Sequence, residues 1–416
     1  MKPSSSVRRV FGVGLVALSL SVAAVGCSHS ASSGGGAAAG TFTVWDPYPQ
    51  FDNSSAWVKL LDKCGSAAGV SVKRTSFDTT ALTSKELLAA QQGVSPDVLI
   101  VDNPVVSTLA SAGVLTTTAQ TGVDTGAVEA NLLAAGQIDG KTYGIPIGAN
   151  TLALYYNKTI LKAAGVDAAS ITDWASLTAA LARVKAVGKV GITFSAIGTE
   201  EGSFQFEPWF WGAGADLTDL DSGQAQAALG LWASWVKDGY APNSVLGDTQ
   251  TTSWQEFAAG GTAFSENGTW QLANAQSGSF PYGIIDIPAQ HGGAAPTPTG
   301  GEFVTIPVQS DTARYATAEK IVACLTSAGN AYTTDTTLSY VGATAAVQGQ
   351  QGSASAVLGP WITAVHTAKG RTSDDLGTKY PKISQALWTA VQSALTGSAS
   401  VSSALATAQS SAQSAG

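Results

Sequence analysis

Few side chains in this sequence have the spacing of a known reactive site. The histidines are His29, His291 and His366, and none of them lies in a zinc-binding pattern such as HExxH, nor are there paired CxxC motifs. The sequence also has no GxSxG nucleophile motif and no Walker A phosphate-binding loop. We therefore expect no catalytic residue, no metal and no cofactor.

The chain contains eleven tryptophans but only 12% charged residues. A flat indole can cover the apolar face of a sugar ring, while nearby carboxylates and amides hydrogen-bond to the sugar hydroxyls. Trp209, Trp270 and Trp388 are candidates for this role, and packing in the core is the alternative for each. The tryptophans that lie on apolar helical faces and are predicted to be core residues are Trp174, Trp232 and Trp235.

Alternating strands and helices must position these side chains. Strand patterns at 41–45 and 96–101 and helical patterns at 56–68 and 82–92 predict an α/β lobe with a largely parallel sheet. Ligands of such sheets bind at the carboxyl ends of the strands. Asp46 and Asp102 each follow a strand, which makes them candidate ligand-binding residues.

Beyond residue 140, two extended segments are candidate crossovers between lobes. The first is 143–157, which Pro146 and Gly148 interrupt, and the second is 303–308. Helices dominate between them, and a last helix is predicted at 383–395. The Ser/Ala-rich residues after it are expected to fray.

The N-terminus has the layout of a secretory signal. Three cationic residues precede an apolar run at 10–24, which is shorter than the ~20 residues that a membrane-spanning helix needs. The following AVGC resembles a bacterial lipobox, so we expect cleavage of a signal peptide at 1–26 and lipidation of Cys27. Residues 27–40 then form a flexible linker.

Cys64 and Cys324 remain after Cys27 is set aside. An even pair in an exported protein predicts a disulfide, and two buried free thiols are the alternative.

Length and charge limit the possible domain number and partners further. At roughly 150 residues per domain, 416 residues predict two or three compact units. The net charge of −8 argues against nucleic acid as a partner, because duplex binding depends on clustered Lys and Arg.

The order of several motifs resembles that of the extracellular solute-binding proteins of ABC transporters, in particular the maltose-binding-protein-like family 1. The resemblance covers nearly all of residues 41–410. The matching segments are TFTVW at 41, GVSPDVLIVDNPVVSTLASAGVL at 93, DGKTYGIP at 139, LALYYNKTIL at 152, TDWASL at 172, FEPWFWGAGAD at 206, FAAGGTAFSENGTW at 257 and GGEF at 300.

This resemblance implies an α/β fold of the periplasmic-binding-protein type, type II-like, with two lobes connected by a hinge and a ligand cleft between them. The N-terminal lobe would comprise 41–147 with 304–345, and the C-terminal lobe 148–303 with 346–416. Closure of the lobes over the ligand is the expected motion.

The resemblance also carries over to individual residues. Glu207 and Trp209 lie in the Glu-Pro-aromatic segment that supplies a carboxylate and a stacking ring in maltose-binding relatives. Trp270 matches the tryptophan of a Gly-x-Trp motif, Asn150 falls at a polar cleft position, and Trp388 approximates a stacking residue of the tail helix. The remaining candidate ligand-binding residues, chosen for their positions beside strands or the GGEF crossover, are Asp46, Asp102, Asn103 and Glu302.

The function implied is that of a monomeric, lipid-anchored component of an ABC importer. It would bind a mono- to oligosaccharide at the outer face of the cell membrane and deliver it to permease subunits. A binder of a glycerophosphodiester, a polyol or another polar solute is an alternative. A secreted glycosidase using Glu207 with Glu256 or Glu266, and a sensor or adhesin without a transporter, are further alternatives.

Overall fold

The computed structural model describes residues 40–372 and 376–414. The predicted signal peptide, Cys27 and linker residues up to 39 lie outside the described residues. The strands are β1 (Thr41–Asp46), β2 (Ser71–Ser76), β3 (Val98–Asp102), β4 (Gln137–Ile138), β5 (Lys141–Thr142), β6 (Ile145–Pro146), β7 (Leu152–Asn157), β8 (Val190–Thr193), β9 (Thr262–Gly268), β10 (Tyr282–Ile285) and β11 (Glu302–Thr305).

Helices surround these strands. They are α1 (Ala56–Ala67), α2 (Thr79–Gln92), α3 (Asn103–Ser111), α4 (Thr118–Thr121), α5 (Ala130–Leu133), α6 (Lys158–Ala163), α7 (Trp174–Ala186), α8 (Glu200–Gly212), α9 (Gly223–Lys237), α10 (Gln250–Ala258), α11 (Leu272–Gln276), α12 (Tyr315–Thr326), α13 (Ala328–Leu338), α14 (Ala345–Ala354), α15 (Gly359–Thr367), α16 (Tyr380–Leu395) and α17 (Val401–Gln413). No helix in the described part of the chain is both long and apolar enough to cross a membrane.

The first sheet has the strand order β2-β1-β3-β11-β6. β2, β1, β3 and β6 run in one direction and β11 alone is antiparallel to its neighbours β3 and β6, so the sheet is largely parallel, as predicted, with one reversed strand. The apolar run of β3 is buried from Val98 to Val101, as expected for a strand covered on both faces. We call this sheet and the helices packed on it the first lobe.

The second sheet has the order β10-β7-β9-β8. β7 is antiparallel to β9 and β10, and only β8 and β9 run parallel. Its core contains the predicted tryptophans Trp174, Trp232 and Trp235, all buried, which confirms that assignment. We call this sheet and its helices the second lobe.

The chain passes between the lobes through segments that hydrogen-bond to one another. The backbone of Ala149 exchanges two bonds with Val341, at N···O distances of 2.7 and 2.8 Å, and Asn150 exchanges two with Gly300. Gly301 has φ +107°, and a Cβ there would lie 2.5 Å from the carbonyl oxygen of Gly148, so only glycine fits. The second crossover therefore lies just before β11, since β11 is itself part of the first sheet.

The end of the chain differs from the prediction. The Ser/Ala-rich tail forms α17, which packs on α16 and α9 and buries Ala404, Leu405 and Ala408. One face of small apolar side chains lets the helices approach closely, and this packing replaces the predicted fraying.

The predicted disulfide is present. Cys64 of α1 and Cys324 of α12 are joined by a bond of 2.07 Å. It links residues separated by 260 positions in the sequence, both within the first lobe.

Removal of this bond by the double substitution Cys64→Ser and Cys324→Ser should lower the free energy of unfolding by about 2 to 5 kcal/mol, because a long loop of the unfolded chain regains its entropy. Urea unfolding of the oxidised protein and the variant checks this. An unchanged unfolding midpoint would contradict it.

Candidate functional site

A cavity of about 690 Å³ lies between the two lobes. Its first-lobe wall comes from the ends of β1, β3 and β11 and from the turn after α13, and its second-lobe wall from the first turns of α8 and α10 and the turn after β9. The cavity-lining residues used below are Tyr48, Phe51, Asp102, Asn150, Glu200, Glu201, Phe204, Gln250, Trp270, Gln271, Asn274, Glu302, Tyr340 and Arg371.

Asp102 and Glu302 lie side by side on neighbouring strands of the first sheet. They are register partners on the antiparallel strands β3 and β11, so their side chains lie on the same face. Oε2 of Glu302 accepts hydrogen bonds from the hydroxyls of Tyr48 at 2.9 Å and Tyr340 at 2.8 Å. Burial, followed by the neighbouring Asp102 carboxylate, raises the pKa of Glu302 to about 7.

Arg371 connects the two walls of the cavity. Only 2% of its side chain is exposed. Nη2 donates to Oδ1 of Asp102 and to Oδ1 of Asn103, both at 2.9 Å, and Nη1 donates to Oε1 of Glu200 at 2.6 Å. Asp102 and Asn103 belong to the first lobe and Glu200 to α8 of the second, so a single guanidinium holds groups from both lobes.

The polar network continues inward from Glu200. The Tyr380 hydroxyl lies 2.7 Å from Oε1 of Glu200 and 2.8 Å from Oε1 of Glu207. A hydroxyl has one proton, so one of the two carboxyl groups must itself be protonated and donate to it. Burial, and then the charge of Glu200, raise the pKa of Glu207 well above its usual range, which makes Glu207 the protonated group.

Five of the predicted ligand-binding residues do not line the cavity, and three of these are fully buried in protein contacts. Glu207 is fully buried beside Tyr380, and Trp209 is fully buried, with Nε1 donating to Glu266 at 2.8 Å. Asp46 is also fully buried, where it accepts bonds from Arg74, Trp57 and the backbone of Tyr48. Direct ligand contacts by these three residues stay predictions.

Trp270 lines the cavity and is half-buried. A Cβ on Gly268 would lie 2.0 Å from its ring, so the glycine of the NGTW segment provides the space in which the indole lies. The Phe204 ring is 6.3 Å from it, centroid to centroid. These two rings form an aromatic wall on the second-lobe side.

Asn150 also lines the cavity, at the crossover between the lobes. A Cβ on Gly300 would lie 2.0 Å from its Oδ1, so glycine at 300 leaves room for this amide. Asn103 lies behind Arg371, and its amide donates to the carbonyl of Thr299 at 2.8 Å. Trp388 is half-buried on α16 near Gly198 and does not line the cavity.

Several cavity residues were not identified from the sequence. Glu200 and Glu201 begin α8, the first long helix after strand β8, and an acidic pair at that position is a usable signal. Tyr48 directly follows the first strand and offers the same signal. Arg371 lies in an irregular segment after α15, where no periodicity marks it.

The cavity contains no arrangement typical of metal sites. Within residues 40–372 and 376–414, no group of three or more His, Cys, Asp or Glu side chains could hold a metal ion. What the cavity offers is hydrogen-bond acceptors, amides and aromatic rings.

The sequence model of a family described as bacterial extracellular solute-binding protein matches residues 59–358, well over half of the chain. The chain belongs to this family. A protein of Brucella abortus (strain 2308) named as a binding protein is 29% identical over 171 residues, which are 38% of this chain and 41% of that protein. The match therefore spans less than half the length of the curated relatives.

Solved structures of similar fold match 90% of this chain. The GacH receptor of Streptomyces glaucescens, solved unliganded and with acarbose, has a TM-score of 0.79 and 22% identity over 97% of its chain. UgpB from Mycobacterium tuberculosis, in complex with glycerophosphocholine, has a TM-score of 0.77 and 24% identity over 98% of its chain. The family resemblance and the predicted two-lobed α/β fold are thus confirmed.

The Arg371 network provides a test of how the lobes are held. Arg371→Met should lower the free energy of unfolding by about 2 to 3 kcal/mol. This loss of stability is no more than the low end of the range for a buried ion pair that loses one partner. Solvent still reaches 18% of the Asp102 side chain and 31% of the Glu200 side chain and can stabilise their charges. Arg371→Lys keeps the charge but loses the planar guanidinium, so it should lower the free energy of unfolding by less than Arg371→Met does. Urea unfolding measures all three proteins, and equal stability would contradict the ion-pair assignment.

Proposed function

We propose that this protein is the substrate-binding component of an ABC importer and that it captures a carbohydrate outside the cell for a membrane permease. The observation that carries the proposal is the composition of the cleft. Trp270 and Phe204 offer ring faces, while Asn150, Glu201 and Glu302 offer acceptors and an amide within the same cavity. This combination suits a molecule with apolar ring faces and many hydroxyls.

The fold supports a mechanism of closure without bond chemistry. We take the lobes as 41–147 with 302–345 and 148–301 with 346–416, joined at the crossovers, because all four residues of β11 pair with β3 in the first sheet. A ligand that contacts both lobes binds the closed state more tightly than the open state, and this difference in affinity stabilises the closed state. The permease would then recognise the closed shape. Signal cleavage, the lipid anchor at Cys27 and the monomeric state belong to this proposal and rest on the sequence alone.

The alternatives have less support. A phosphodiester would bring negative charge to a cavity lined by Asp102, Glu200, Glu201 and Glu302, where Coulomb repulsion opposes it. The glycosidase alternative needs an acid and a base at the sugar, but neither Glu207, Glu256 nor Glu266 lines the cavity. The family consists of solute-binding proteins.

A thermal-shift screen of the chain from residue 41 tests the ligand class. A ligand that binds only the folded state raises the melting temperature, so we expect shifts with mono- to oligosaccharides. Glycerophosphodiesters and polyols belong in the same plate. Shifts with these compounds and none with any saccharide would overturn the carbohydrate assignment.

Trp270→Ala should weaken binding of a saccharide found in that screen by about 1 to 3 kcal/mol, the scale of aromatic burial, and leave the protein folded. Trp209→Ala is the matched contrast. It should lower the free energy of unfolding by about 3 to 5 kcal/mol, because its ring is fully buried in the second-lobe core. Calorimetric titration and urea unfolding separate the two effects; unchanged affinity for Trp270→Ala would assign that ring to packing.

A further inference from the structure

The cleft has an excess of negative charge. Among the described residues, its ionisable lining comprises four carboxyl groups and one guanidinium. Arg371 already contacts Asp102, Glu200 and Asn103 through its two terminal nitrogens. Glu201 and Glu302 form no ion pair with any residue of 40–372 or 376–414. A neutral sugar would leave either of these two carboxylates, once ionised, without a cationic partner.

Glu302 occupies a position where a positive charge would be favourable. It lies directly opposite Asp102 on the neighbouring strand, and like charges in such a pair repel. Its two phenolic donors both bind Oε2, while Oε1 has no hydrogen-bond partner in the described part of the chain. The side chain is only partly buried, so a ligand can reach this second oxygen.

The surroundings of Glu302 also suit a cation. Tyr48, Phe51 and Tyr340 line the same first-lobe wall. The face of an aromatic ring attracts an ammonium group electrostatically, and an ammonium group has three donors for carboxylate oxygens. A carboxylate among aromatic rings can therefore bind an amine with charge, hydrogen bonds and ring contacts together.

We propose that the solute captured in this cleft is a saccharide that carries a protonated amine, and that Glu302 binds the amine. This inference rests on the proposed carbohydrate-binding function and narrows its substrate class. The remaining hydroxyls of such a ligand would use Asn150, Gln250 and Gln271, and its ring would lie against Trp270.

The ionisation of Glu302 makes the binding dependent on pH. The groups that face it are Asp102 from β3, the phenols of Tyr48 and Tyr340, and Arg371. With a pKa of about 7, Glu302 is mostly protonated at pH 6 and mostly ionised at pH 8. An amine that stays protonated over this interval should bind more tightly at pH 8, whereas a neutral saccharide gains nothing from the ionisation.

The test compares matched ligands by calorimetric titration at pH 6 and pH 8. The panel contains 2-amino-2-deoxy and 6-amino-6-deoxy sugars, from mono- to trisaccharides, each with its neutral parent and its N-acetylated derivative. A primary alkylamine such as the 6-amino group remains protonated at both pH values, by analogy with lysine at about 10.4. For the 6-amino sugars, whose amine stays protonated, we expect binding at least about tenfold tighter than for their neutral partners at pH 8, as for a hydrogen bond to a charged group.

Two variants assign the preference to one residue. Glu302→Gln should abolish the tenfold preference and its pH dependence, while its amide oxygen can still accept the tyrosine hydroxyls. Asp221→Asn makes the same change of net charge at an exposed position outside the cavity and should retain both. The wild-type comparison stands even where Glu302→Gln folds poorly.

The possible results distinguish a failure of the amine assignment from a failure of the proposed carbohydrate-binding function. Neutral sugars that bind as tightly as their amines would overturn the amine assignment and leave carbohydrate binding intact. An amine preference that survives in Glu302→Gln would overturn the role of Glu302. Absence of binding by every saccharide, amine or neutral, would contradict both this inference and the proposed function.

Discussion

A buried guanidinium must be surrounded by acceptors, and at Arg371 this requirement joins the two lobes. An unpaired buried charge strongly destabilises the folded protein, so Asp102, Asn103 and Glu200 must stay near the guanidinium. These acceptors come from the end of β3 and the start of α8, and they thereby fix the position of one sheet edge relative to one helix terminus. The cavity lies beside this contact. Its shape and its charge both depend on where Arg371 is held.

Much of the first lobe could be predicted because local patterns agree with its tertiary surroundings. The apolar run of β3 is buried on both faces, and Asp102 follows it at the carboxyl end that faces the cleft. Trp270 was also identifiable, since the glycine beside it marks a close approach of ring and backbone. The strand directions were harder: β11 returns antiparallel to β3, and nothing in its four residues distinguishes that from a parallel neighbour.

The remaining site residues depend on contacts that sequence patterns do not encode. Trp209 and Trp270 each lie within a few residues of a glutamate and a glycine in the sequence, but Trp209 is fully buried and donates to Glu266 while Trp270 lines the cavity. α8 is buried all round from Gly202 to Trp211, and one of the helices that cover it, α16, begins more than 160 residues further along the chain. Arg371 finds its partners across the interface of the lobes, so its local sequence carries no sign of them.

The carboxyl groups of this protein fall into two physical classes, and the difference separates structure from function. Glu207 and Glu266 are fully buried, and burial raises their pKa values well above the ordinary range, so each is stable as a neutral acid: Glu207 donates to the Tyr380 hydroxyl oxygen, and Glu266 accepts from the Trp209 indole. Asp102, Glu201 and Glu302 instead line the cavity, where solvent or a ligand can stabilise their charge. When Glu302 is ionised, its hydrogen bonds come from neutral hydroxyls, and the nearby Arg371 is already bonded to Asp102 and Glu200, so a further cation would be favourable there. An amine on the captured solute, as proposed above, would supply that cation.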